Sequence, residues 1–143
     1  MKIKLGKTEL IHFIGIGGIG MSGLALIMKE LGFKVQGSDI SINKNIERLK
    51  KNKIKVFEGH KISNLNKTTV LVKSSAIKKN NSEFEHAKRK KIPIYSRGDM
   101  LGHVVSLMKN IVVAGSHGKT TTTSLISNIF SKAKIDPTVI NGG

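Results

Sequence analysis

Two glycine turns in this chain carry the residue types that hold phosphate. The first is Gly15-Ile16-Gly17-Gly18-Ile19-Gly20, and the second is Gly115-Ser116-His117-Gly118-Lys119-Thr120. Glycines let backbone N–H groups converge on an anion, and a helix starting at the turn adds partial positive charge. In the second turn Lys119 has the reach to meet β- and γ-phosphate oxygens, and the Thr120 hydroxyl is a ligand type suited to Mg²⁺. The longer phosphate-loop pattern has a further glycine where this chain has Val113, so the loop is a shorter G-x-x-G-K-T. Asp39, His60, Ser74, Ser75 and Arg97 are the other polar residues whose worth depends on where the fold puts them.

The elements needed to position them follow from periodicity. An apolar run over 10–16, broken only by His12, predicts a first strand. After the glycines, Leu24, Ile27, Met28 and Leu31 share one helical face, and Gly32 stops that helix. Residues 33–38 read as a second strand ending at Asp39. Strand, G-x-G-x-x-G, helix, strand, acid is a dinucleotide-type fingerprint in its proper context. Gly15 makes the tight turn, Gly17 admits a diphosphate, and Gly20 lets the helix pack on the strand. The pattern points to a diphosphate and does not say which nucleotide carries it.

Ser41 is the expected N-cap of a basic helix running to about residue 52, followed by a strand over 54–57 and the Gly59-His60 loop. A strand over 69–73 ends at Ser74-Ser75, and Asn81 or Ser82 caps a helix to about residue 90. Residues 92–95 form a short strand that Pro93 keeps from being central, and Arg97 opens a helix with Leu101, Val104, Val105 and Met108 apolar. This alternation predicts an α/β fold, a Rossmann-like, doubly wound, mostly parallel sheet. Ligands in such sheets sit at the carboxyl ends of strands, which gathers Gly15–Gly20, Asp39, His60, Ser74, Ser75 and Arg97 on one edge. His12, inside a buried strand, reads as structural.

A second unit starts with a strand over 111–114. Its helix carries Leu125, Ile126, Ile129, Phe130 and Ala133 on one face; a turn at Asp136-Pro137 and a strand over 138–140 follow. The expected division is residues 1–108 and 109–143, with the second part only the opening of a P-loop α/β domain. So short a unit cannot close a sheet, and the chain is expected to be part of a longer protein.

Composition narrows the class. The chain has 143 residues, 38% hydrophobic, which suits a folded domain, and no cysteine, which fits a reducing compartment. Glycines interrupt the N-terminal apolar run, so a signal peptide is not expected, and no stretch is long and apolar enough for a bilayer. The net charge of +16 raises nucleic acid as a partner. The lysines are scattered, there is no Trp and a single Tyr, and basic and aromatic residues do not interleave, so no nucleic-acid role is expected. The five histidines are dispersed without metal-ligand spacing.

Taken together, the segments 11–23, Gly37-Ser38-Asp39, Ser74 to Ile77, Arg97 to Leu101, 114–123 and 136–143 resemble, in order, the motifs of the Mur ligase family. The short G-x-x-G-K-T loop is that family's form. Mild departures are Ser116 where Thr is commoner and Gly98-Asp99 where Ala-Glu is commoner. The resemblance implies a UDP-sugar domain over 1–108, with Gly15, Gly17, Gly18, Gly20, Met21, Ser22, Asp39, His60, Ser74, Ser75 and Arg97 contacting the nucleotide sugar. It implies the start of an ATPase domain over 109–143, with Gly115, Ser116, His117, Gly118, Lys119, Thr120 and Thr121 around ATP, Lys119 catalytic and Thr120 holding Mg²⁺. The family member matched best joins L-alanine to UDP-N-acetylmuramate through an acyl phosphate in the cytoplasm, during peptidoglycan synthesis. Such an enzyme needs further C-terminal domains, so the chain alone is expected to be inactive. Rival readings are the murein-tripeptide-recycling ligase of the same family and an NAD-dependent oxidoreductase, which would leave the Lys119 loop idle.

Overall fold

The computed structural model describes residues 3–141. The chain separates into two compact units, Met1–Met108 and Lys109–Gly143. In the first, β1 (Leu10–Ile14), α1 (Ile19–Glu30), β2 (Lys34–Asp39), α2 (Lys44–Lys51) and β3 (Lys55–Glu58) follow one another. A 3₁₀ turn (Ile62–Leu65) then leads to β4 (Val70–Lys73), α3 (Ser82–Arg89), β5 (Ile94–Ser96) and α4 (Arg97–Ser106). The strands form one five-stranded sheet in the order β3-β2-β1-β4-β5. Every neighbouring pair is parallel, so the doubly wound α/β expectation holds. The winding direction reverses beside β1. That is the switch point where a crevice opens between the ends of β1 and β4.

Strand alternation splits the core into two layers. Ile11, Phe13, Val35, Val70 and Val72 pack with Met21, Leu24 and Met28 of α1, Leu49 of α2, and Met100 and Val104 of α4. Ile14 and Leu71 face the other way, against Leu65, Phe84 and Ala87. That second face also carries buried polar groups, because the register sets His12 opposite Gln36 and Ile14 opposite Ser38.

Helix ends follow a common device. After α1, α2 and α3 the chain turns through a left-handed residue whose N–H and its successor's N–H return to the last helical turn. The pairs are Gly32 to Lys29 and Phe33 to Met28, Lys53 to Lys50 and Ile54 to Leu49, and Lys91 to Lys88 and Ile92 to Ala87. Only the first of these turns uses glycine. The expected Ser41 cap is replaced by Asn43, whose side chain accepts from Ile46 N–H, because Ser41 is drawn back to the Asp39 carboxylate. Asn81 caps α3.

The second unit contains α5 (Lys119–Lys132) preceded by the Gly115–Gly118 loop. The strands expected over 111–114 and 138–140 do not form. Among the described residues neither segment takes part in a ladder, and a strand exists only through its partner's hydrogen bonds. Leu125 and Ile129, on the apolar stripe read from the sequence, are exposed. Gly142 and Gly143, which close the last resembling motif, lie outside the described residues.

Candidate functional site

The first glycine loop is pinned at its entry. Gly15 adopts φ +77°, a conformation that favours glycine, and its N–H and that of Ile16 both donate to the Ser38 carbonyl at 2.8 and 3.1 Å. Gly17 N–H donates to Asp39 Oδ2 at 2.8 Å, while Gly17 O accepts from the Asn43 and Asn45 side chains at 3.2 and 2.8 Å. Asp39 Oδ1 takes the Ser41 N–H and hydroxyl. The acid at the end of β2 therefore shapes the loop first, using both oxygens within the chain.

Gly18 is the N-cap of α1 and supplies no capping side chain, and the first turn holds no acid. The first helical bond is Ser22 N–H to Gly18 O, which leaves the amides of Ile19, Gly20 and Met21 without an acceptor among the described residues. Beside them lies Arg97. A Cβ built on Gly20 would stand 2.5 Å from Arg97 Nη1 and 3.2 Å from its Cζ. So the bare Cα of Gly20 makes room for a guanidinium, which corrects the expected helix-to-strand packing role. The glycine that meets strand backbone is Gly37, whose Cβ would come within 2.6 Å of the Phe13 carbonyl oxygen. Arg97 is set in place by a capping box at the start of α4. Ser96 Oγ accepts from Asp99 N–H, and Asp99 accepts from Ser96 N–H. The hydrogen bonds from the Ser96 hydroxyl and N–H hold the Asp99 carboxyl below the usual aspartate range. Among the described residues Arg97 has no ion-pair partner.

The other expected contacts divide. Ser74 lies against the loop, 3.3 Å from a Cβ on Gly15, and Ser75 is exposed beyond it. Met21 is buried among core side chains because helical phase turns it inward, leaving its main-chain N–H at the helix start. Ser22 is also buried, its hydroxyl donating to the Ile19 carbonyl. His60 follows β3 on the same edge, held through Nδ1 to Ser38 Oγ at 2.9 Å.

In the second unit Gly118, at φ +76°, is the N-cap of α5, again without a side-chain cap or an acid in the first turn. The first helical bond runs from Thr122 N–H to Gly118 O, so the amides of Lys119, Thr120 and Thr121 have no acceptor among the described residues. Lys119 Nζ donates to the carbonyls of Gly115 and Ser116 at 2.7 and 3.2 Å, laying its charge across the loop. Ser116 and His117 form the exposed rim. For Mg²⁺ the chain offers the Thr120 hydroxyl; among the described residues no three acidic, histidine or cysteine side chains gather as a metal site. The donor set here is one oxygen, and it does not complete a magnesium site by itself.

A sequence profile described as "Mur ligase family, catalytic domain" matches residues 10–109. The chain belongs to the Mur ligase family. It is 68% identical, over all of its length, to a UDP-N-acetylmuramate–L-alanine ligase of Pelagibacter ubique, of which it covers 31%. Its structure matches that of a UDP-N-acetylmuramate–alanine ligase from Thermotoga maritima with a TM-score of 0.82 at 34% identity, covering 93% of this chain and 31% of that one. A UDP-N-acetylmuramate:L-alanyl-γ-D-glutamyl-meso-diaminopimelate ligase from Neisseria meningitides matches at 0.78 and 33%, covering 94% and 45%. The chain thus spans about a third of the length of the curated relatives it matches.

Sequence reasoning missed one group in this Mur ligase chain. Glu83, in the first turn of α3, is fully buried and accepts from Ser38 Oγ at 2.6 Å, Asn64 Nδ2 at 2.7 Å and Lys61 N–H at 3.2 Å, with His12 Nε2 at 3.3 Å. Burial alone would push its carboxyl up, but the hydrogen bonds from His12, Ser38 and Asn64, with the attraction of His12, outweigh it and hold the group below the ordinary glutamate value. The readable signal was the alternation of β1 and β2, which puts His12, Gln36 and Ser38 on one face.

Proposed function

We propose that the first unit binds a uridine-diphospho-sugar, its diphosphate lying against the open amides of Ile19, Gly20 and Met21 and the guanidinium of Arg97. The observation that carries this reading is the pairing of an uncapped helix start with an arginine, two positive groups with no anion of their own among the described residues. Gly15, Gly17 and Gly18 form the floor, Ser74 and Ser75 the opposite wall, and His60 the far end; Asp39 keeps the floor in shape.

By its likeness to alanine-adding ligases, we take the whole protein to be an ATP-dependent amide-bond-forming ligase that joins L-alanine to UDP-N-acetylmuramate in peptidoglycan synthesis. The division at Met108 and Lys109 then separates a UDP-sugar domain from the opening of an ATPase domain. Gly115 to Thr121 would surround the triphosphate, with Lys119 stabilising charge on the transferred phosphoryl group and Thr120 giving Mg²⁺ one oxygen. Magnesium would add charge neutralisation on the phosphates when the remaining ligands are present. The chain would work in the cytoplasm, joined to the C-terminal domains of the same protein, with no nucleic acid as partner. Among the described residues no helix is long and apolar enough to cross a membrane.

The test is calorimetric titration of the 143-residue chain with UDP-N-acetylmuramate, beside Arg97→Ala. Saturable binding weakened about tenfold or more by the substitution is expected, the size of a charged hydrogen bond. Tight NAD binding with no response to the UDP-sugar would overturn the reading. A second arm adds ATP, Mg²⁺ and L-alanine; the chain should release no phosphate.

A further inference from the structure

Ser38 has a single hydroxyl proton, and its partners determine where that proton goes. The Glu83 carboxylate, an acceptor, lies 2.6 Å from Ser38 Oγ, so the hydroxyl donates there. The His60 Nδ1, 2.9 Å from the same oxygen, can bond it only by donating, and Glu83 Oε2 at 3.4 Å favours a proton on that nitrogen as well. His12 enters from the other side. Its Nε2 is 3.3 Å from both Glu83 Oε2 and Ser38 Oγ, whose hydroxyl hydrogen is already given to the carboxylate, so His12 carries a proton on Nε2 and points it at Glu83 and Ser38. The main chain around His60 is clasped too. Its carbonyl accepts from Ser82 Oγ at 2.7 Å, the Gly59 carbonyl accepts from Asn64, and Lys61 N–H reaches Glu83. Among the described residues His60 Nε2 has no partner, and it is not one of the buried unpaired atoms.

We propose that Glu83, through Ser38 and through its own Oε2 beside the ring, is a positioning residue that fixes His60 as the Nδ1–H tautomer, so that its bare Nε2 accepts a hydrogen bond from an N–H or O–H of the bound nucleotide's base or sugar. Ionised phosphate offers no such donor, so His60 reads the nucleoside end of the ligand while Arg97 and the glycine loop take the diphosphate. The ligand part of this assignment rests on the UDP-sugar reading above; the tautomer part does not.

Glu83→Gln tests it with almost no change of shape. The Lys61 main-chain N–H cannot reverse and keeps Oε1 an acceptor, whereas His12 Nε2 has Ser38 Oγ at 3.3 Å as an acceptor besides Oε2, so the glutamine amide nitrogen takes the Oε2 position and donates to Ser38. The Ser38 hydroxyl then turns to His60 Nδ1, and the histidine proton moves to Nε2. Long-range ¹H–¹⁵N spectra of the ¹⁵N-histidine-labelled chain at neutral pH should show His60 as Nδ1–H in the wild type and as Nε2–H in Glu83→Gln. Ser38→Ala, which leaves Glu83 beside Nδ1, should keep the wild-type tautomer and covers the case in which the glutamine variant does not fold. An Nε2–H or doubly protonated His60 in the wild type would overturn the proposal.

The ligand arm uses UDP, its N3-methyl form and its 2′- and 3′-deoxy forms. Glu83→Gln and His60→Ala should each weaken UDP about tenfold or more, as for a misplaced hydrogen bond. The analogue lacking the donor that His60 takes should lose a similar factor in the wild type and nothing further in His60→Ala. Losses that multiply independently for every analogue would overturn the nucleoside contact. Absence of any UDP binding would sink the UDP-sugar reading while the spectra still decide the tautomer.

Discussion

Gly20→Ala separates stability from binding. The position is helical with an ordinary backbone, so alanine is not strained there and should gain helix propensity of about 0.5–1 kcal/mol over glycine. The new methyl would sit 2.5 Å from Arg97 Nη1 and 3.2 Å from both its Cδ and Cζ. These are atoms of a flexible, solvent-facing side chain, so the guanidinium swings away and the fold is spared. What is lost is a charged hydrogen-bond donor at the diphosphate, about 1.5–3 kcal/mol, or roughly ten- to a hundredfold in Kd. Urea unfolding read beside calorimetric titration with UDP should therefore move in opposite directions, firmer fold and weaker ligand. Unchanged UDP affinity would refute the placement of Arg97 over the phosphate. A loss of stability would show that Gly20 serves packing instead.

Gly37→Ala should do the reverse. Its Cβ meets the Phe13 carbonyl and the Ile16 side chain within 2.6–2.8 Å, and overpacking of about 1–3 kcal/mol should appear as a lower urea midpoint. Lys53→Gly and Lys91→Gly each relieve a left-handed lysine, at φ +58° and +56°, and should raise stability by about 1 kcal/mol in urea titration. Glu83 has its folded value lowered from the ordinary 4.5, so its contribution to stability is complete above that pH and is lost as pH falls through the folded value. The stability gap between the wild type and Glu83→Gln should accordingly close in acid; a gap unchanged from pH 7 to pH 3 would count against an ionised Glu83.

What the sequence made legible was the local grammar. Apolar runs of strand length, the G-x-G-x-x-G turn and Gly32 carry their signals within a few residues, and the five strands and their shared edge emerge from them. Strand ends shifted by a residue or two because pairing, not hydrophobicity, sets them. Ile16 is apolar and buried yet lies past β1, where its N–H is already spent on Ser38. The side chains of Met21 and Ser22 turn inward, which a motif match cannot show because it carries no helical phase. Glu83 was invisible because its partners come from β1, β2, the 3₁₀ turn and the loop after β3, and only the register brings those together. Lys53 and Lys91 hid two helix stops, since glycine is the residue that advertises such a turn. The strands expected after Asn110 are written in the sequence, but a ladder needs a neighbour.

Ser38 connects both halves of the ligand edge. Its carbonyl receives the amides of Gly15 and Ile16, and its hydroxyl joins Glu83 to His60. A single residue at the end of β2 is therefore a joint between the floor that would cradle a diphosphate and the histidine at the far end. Damage at one half reaches the other through that joint, so substitutions at Gly15 and at Glu83 will not behave as separate perturbations, and their effects on nucleotide affinity will not add.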